Sequence, residues 1–157
     1  MKLGEALALR ADASRRVQQL QARIVASARF QEGEEPAEDA EALLAEAGLA
    51  LDELEQLITR INRTNAAAVI GSSGTITDAL ARRDALRLRH ALVTAAADAA
   101  AGKNRQGAPV RQLRSELKML TALPVSQLRA EADAIARELR ELDVRLQQAN
   151  WEVSLLS

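Results

Sequence analysis

Asn62-Arg63-Thr64-Asn65 and Arg82-Arg83-Asp84 are the two strings in this chain whose residue types could do chemistry. A guanidinium such as Arg63 or Arg83 presents a planar fork of donors that matches a carboxylate or phosphate, and the amides of Asn62 and Asn65 could orient the bound anion. Asp84 could then stand as a base. Such a site would make the chain an enzyme or a binding protein for a small anionic ligand, and it requires a concave pocket where these groups converge. The structural reading of the first string competes with this. Four polar residues interrupt the end of a heptad, and Asn65 falls where the next apolar residue is due, so a buried amide there could fix helix register or oligomer state at a cost in stability.

Other chemistries are poorly served. His90 is the only histidine, which excludes paired-histidine metal sites, and the absence of cysteine excludes disulfides, thiolate ligands and thiol catalysis. The acidic residues around Glu32–Glu55 lie in a loop and on several helical faces and read as solvated charge rather than a carboxylate metal site. Gly71-Ser-Ser-Gly74 lacks the Lys and following Ser/Thr of a phosphate-binding loop and reads as a turn. Arg82, Arg83, Arg87 and Arg89 form a basic stretch without interleaved aromatic groups, so salt bridging to the acidic second helix is the better reading than nucleic-acid binding. No catalytic residue, metal or cofactor is assigned. Trp151 could close a bundle end or anchor an interface.

The elements that would carry these strings are helices. Leu44, Ala47, Leu51, Leu54, Ile58 and Ile61 recur at alternating steps of three and four, and Leu128, Ala132, Ile135, Leu139, Leu142, Leu146, Ala149 and Val153 repeat the rhythm near the other end. Each set forms one stripe along a helix and must be buried against another helix. The spacing predicts helices over 3–28, 39–68, 76–101 and 125–153, with Leu3, Ala6, Ala13, Val17, Leu20 and Ile24 as the buried side of the first. Asp39 is the expected cap of the second, and Thr75 with Asp78 a capping box for the third. The third helix is apolar on two faces, Ala79, Leu86, Val93 and Ala97 on one and Ala81, Leu88, Leu92 and Ala99 on the other, which predicts two neighbours, one of them in another protomer if it is not the central helix. Gly102 to Pro109 breaks periodicity, and 111–123 after it reads either as a short helix or, by the polar–apolar alternation of Glu116-Leu-Lys-Met119, as a short extended segment near 112–121, the reading preferred.

The chain has 157 residues, the size of one domain, and two aromatic residues, so its core must be Leu, Ile, Val and Ala. The net charge of −1 argues against a polyanion-binding protein. Charge is nonetheless segregated: Glu32 to Glu55 holds ten acidic and no basic residues, and the first helix is basic, so the acidic helix is expected between basic neighbours. Long helices with wide stripes finish burying them on a second copy, which makes a homo-oligomer the expected state. An apolar leader is missing and the longest apolar run, within Ala91–Ala101, is about half a membrane span, so a soluble cytoplasmic protein is expected.

Gln31 through Asp39, Ile61-Asn-Arg-Thr-Asn65, Leu80-Ala-Arg-Arg-Asp84, and Glu138-Leu-Arg-Glu-Leu-Asp143 through Asn150-Trp151 together resemble the bacterial septicolysin-like family of small helical proteins. The similarity preserves motif order over nearly the whole chain. It implies no reaction that can be carried onto particular residues. The family name suggests a cytolysin, but an export signal, a membrane-length helix and an amphipathic strand hairpin are all missing, so membrane lysis is not expected. Pro124 stands where an acidic helix cap would be expected in relatives. The reading is therefore all-α: four helices in antiparallel, coiled-coil-like packing within one domain, with self-association or scaffolding as the function.

Overall fold

The computed structural model describes residues 1–103 and 117–157 and contains four long helices: α1 (Leu3–Ser27), α2 (Ala40–Ala67), α3 (Ile76–Ala100) and α4 (Val125–Glu152). Each boundary lies within a residue of the position set by the apolar rhythm. The stops and starts are chemical. Asp39 Oδ1 accepts from the Glu41 and Ala42 amides at 3.0 and 3.1 Å, supplying partners for N–H groups that the first turn of α2 leaves unpaired. Thr75 and Asp78 close a reciprocal box on α3: the Asp78 carboxylate accepts from the Thr75 amide at 2.9 Å and the Thr75 hydroxyl from the Asp78 amide at 3.2 Å. These bonds hold the Asp78 carboxyl below the usual carboxylate range, the Thr75 backbone N–H contributing most. Between α2 and α3, Gly71–Ser73 forms a single 3-10 turn. Gly74 follows at φ +80°, where a Cβ would also meet Asp78 Oδ2 at 2.6 Å.

The helices pack antiparallel in pairs, α1 with α2 and α3 with α4. The chain divides into two compact units, one of Met1–Val69 with Gln148–Ser157 and the other of Ile70–Gln147. In the first unit, Leu20, Leu43 and Ala50 form a core to which Val17, Ile24 and Ala47 add. The α1 stripe is the expected one. In α2 the buried seam is instead Leu43, Ala47, Ala50, Leu54, Leu57, Ile61 and Thr64, each buried or half-buried, whereas Leu44, Leu51 and Ile58 are 59%, 50% and 36% exposed. The heptad read from the sequence mixed two neighbouring stripes about 100° apart on the helix wheel. Both have the spacing of a seam, and only the position of α1 selects between them.

The second unit pairs Ala79, Leu86, Val93 and Ala97 of α3 with the unit's share of the predicted α4 stripe, Leu128 to Leu146, all buried or half-buried. The other face of α3 is uncovered: Leu88 and Leu92 are 75% and 70% exposed, and Ala81 and Ala99 are exposed. The expected second neighbour is thus missing among the described residues. Charge pairing follows the helix pairs. Arg16 and Arg23 of basic α1 meet Glu46 and Glu38 on the acidic side. Arg82 and Arg87, by contrast, pair with Glu138 and Asp143 of α4. The expectation that the α3 arginines serve the acidic second helix is corrected here, because α4 carries its own acids at facing positions. Of the expected extended segment, 112–116 lies outside the described residues, and 117–121 forms neither helix nor strand.

Candidate functional site

The most completely built polar site is at the C-terminal end of α2, and its centre is Thr64. Three residues beyond Ile61, Thr64 occupies the seam position and is 1% exposed. Its hydroxyl donates to the Arg60 carbonyl at 2.8 Å, the usual i−4 partner of a helical threonine, and accepts from the Leu156 amide at 3.0 Å. Arg60 Nε donates to the Leu156 carbonyl at 2.9 Å. One turn of α2 therefore grips both polar groups of a single residue in the tail. The tail's other contacts are with the start of the chain: the Leu3 amide donates to the Val153 carbonyl at 2.9 Å and the Leu155 amide to the Met1 carbonyl at 3.0 Å. Lys2 Nζ adds a bond to the Glu152 carbonyl at 2.9 Å. Gly4 allows this approach, since a Cβ there would lie 3.1 Å from the Asn150 carbonyl oxygen.

The amides singled out by the sequence sit beside this clasp. Asn62 is exposed and Asn65 half-buried, and neither side-chain amide bonds to a described residue. The seam position read as belonging to Asn65 belongs to Thr64, a residue too ordinary in a polar string to stand out. Arg63 is exposed and lines an open cavity of about 500 Å³ with Arg60, Thr59, Asp52 and Glu55. The two carboxylates offset the two guanidiniums. Next to it, along the edge where α1 meets α2, Leu9, Arg16, Glu53, Gln56 and Leu57 border a second open groove of about 410 Å³ that also includes Arg60. The sequence signal for that groove was the pair Glu53 and Arg60, seven apart and flanking the seam.

Arg82–Asp84 belongs to the second unit and is built from that unit's residues. Arg83 Nε and Nη2 approach Asp84 Oδ1 at 3.2 and 3.1 Å, and Arg87 Nη1 stands 3.9 Å from the same oxygen. The Asp84 carboxylate is therefore occupied as an acceptor by its own helix. Arg82 Nη2 reaches Glu138 Oε1 at 2.6 Å, and Arg129 Nη2 reaches Asp98 Oδ1 at 2.6 Å. Arg83 and His90 fall in register with Ala79, Leu86, Val93 and Ala97 and are half-buried, so polar groups sit at two positions of an otherwise apolar seam. Nearby, the Thr94 hydroxyl is buried without a partner among the described residues. Trp151, the other interface candidate, is 68% exposed, with its ring edge over Gly4.

Electrostatically the described residues form a set of surface ion pairs. Arg23 and Glu38 are joined by hydrogen bonds, two of which measure 3.0 and 3.1 Å. This hydrogen bonding raises the guanidinium pKa and lowers that of the carboxyl. Among the described residues no group of three or more His, Asp or Glu is placed to hold a metal ion, and no described helix is long and apolar enough to cross a membrane.

Comparison with known proteins agrees with the fold. The chain is similar to a functionally unknown conserved protein from Corynebacterium diphtheriae, known from a crystal structure, with 35% identity and a TM-score of 0.85 over 99% of each chain. No curated protein sequence matches it. Across residues 10–155, nearly the whole helical framework described above, it matches and belongs to a family of unknown function (DUF6847).

Proposed function

We propose that this protein acts by self-association, as a helical interaction or scaffold module rather than as an enzyme. The supporting observation is the amount of apolar surface left open on faces opposite or beside the buried seams: Leu44, Leu51 and Ile58 on α2, and Leu88 and Leu92 on α3. Large exposed apolar patches mark interaction sites in soluble proteins, whereas scattered single residues do not. These residues recur at helical spacing, so they form continuous stripes. Open grooves lined by balanced charge complete a surface that fits another folded helix better than it fits a small molecule. Binding of a small anion at Arg63 is the weaker reading, because Asp52 and Glu55 face the same cavity.

Solution mass tests the proposal directly. Multi-angle light scattering over a range of concentrations is expected to give a discrete multiple of the 16.9 kDa chain. A mass of one chain at every concentration overturns it.

A further inference from the structure

The exposed face of α3 is itself a complete heptad. Ala81, Ala85, Leu88, Leu92, Ala95 and Ala99 follow at steps of four, three, four, three and four. All six are exposed, and the stripe lies opposite the seam buried against α4. Four alanines and two central leucines make a narrow surface that another helix can approach closely, near the short end of the 8–10 Å range for packed helices. The edges of this stripe carry opposite charge. Arg82 and Arg89 lie along one edge and Asp84 and Asp98 along the other, Arg82 and Asp98 also pairing with Glu138 and Arg129 of α4.

Resting on the self-association reading, we infer that a second copy of this chain docks on the outer stripe of α3, with the two α3 helices side by side and parallel. The charges select the orientation. In a parallel two-stranded coil, a residue on one edge meets the residue five places later on the opposite edge of the partner, and such edge pairs set partner and orientation. Asp84, whose side chain keeps its contacts with Arg83 and Arg87 and is 64% exposed, then also meets the partner's Arg89, twice by symmetry. An antiparallel pairing fits the apolar layers equally well but brings like edges together, basic against basic and acidic against acidic. Arg89 has no acidic partner among the described residues of its own chain, which leaves it available for this contact.

The absence of cysteine makes the test clean. Ala81→Cys introduces a single thiol at an exposed helical position. In the parallel arrangement it faces its own copy, and mild oxidation is expected to convert the protein to a disulfide-linked dimer with unchanged helical circular dichroism. In the antiparallel arrangement residue 81 faces 99, roughly 27 Å along the helix from the partner's 81. Mixed Ala81→Cys and Ala99→Cys proteins would then cross-link to each other, and Ala81→Cys alone would not. That result overturns the orientation. A wild-type oligomer in which neither variant cross-links and Leu88→Glu keeps its mass overturns the surface while leaving self-association standing; a wild-type monomer removes both. As a second readout, Arg89→Glu is expected to raise the dimer dissociation constant roughly tenfold at low salt, with the difference shrinking as salt is added.

Discussion

Replacing Thr64 by Val keeps the shape of a 1%-exposed side chain and deletes one oxygen. That oxygen accepts the Leu156 amide at 3.0 Å and donates to the Arg60 carbonyl at 2.8 Å. The Arg60 carbonyl keeps its helical ladder bond, so the main loss is at the Leu156 N–H. Leaving a buried donor unpaired costs about 1–3 kcal/mol. Leu156 itself is 45% exposed, so water can reach the freed amide once the tail lifts, which places the expected loss at the low end, about 1 kcal/mol. For a chain of this length that is a fall in Tm of about 2–4 °C. Urea melts and thermal scans read the global term, and hydrogen exchange at the Leu156 amide reads the local one. Faster exchange of Leu156 and its neighbours with unchanged exchange in the Leu20–Leu43 core is expected. Thr64→Ser should retain the clasp and lose only a methyl contact. If Thr64→Val matches wild type in both stability and Leu156 protection, the clasp does not hold the tail.

Register in α2 has a sharp mutational signature. Leu43→Ala, at a 6%-exposed position in the core, should cost about 2–5 kcal/mol in a urea melt, whereas Leu44→Ala at 59% exposure should change folding stability by under about 0.5 kcal/mol. Equal costs would contradict the seam assignment. Asn65→Leu replaces a half-buried amide that has no described partner and should leave the melting temperature unchanged or slightly raised; a large drop would mean that Asn65 makes a bond essential to the helix end. Gly74→Ala forces a Cβ into a left-handed position against Asp78 and should destabilise the start of α3, seen as faster exchange of its first-turn amides. The Glu38 and Asp78 pKa values are both lowered in the folded chain. Their stabilising contribution is present above the unfolded carboxylate values near pH 4 and is lost as pH falls through the lower folded values. The melting temperature should therefore decline below about pH 4, and less steeply in Glu38→Gln; identical acid profiles would show that the Arg23–Glu38 pair adds nothing.

Local chemistry in the sequence determined the helices and their ends. Asp39 and Thr75-Ile-Thr-Asp78 cap where their side chains can reach amides two or three residues on, and Gly71 and Gly74 supply the backbone angles of the turn. Such signals need no distant partner. The stripes of α1 and α4 were legible for a related reason: each helix has one continuous apolar column, so pattern and burial coincide. In α2 two columns compete, Leu43–Ala50–Leu57 and Leu44–Leu51–Ile58. A heptad specifies a stripe but not which of two adjacent stripes faces a neighbour, so the choice waited on α1. The candidate site was less legible still. The string Asn62–Asn65 was visible, but its working member is Thr64, whose partner Leu156 lies 92 positions away. No periodicity encodes a bond of that separation. Only the tertiary structure brings the tail against α2, and only there does an unremarkable threonine become the residue that receives the tail's Leu156 amide.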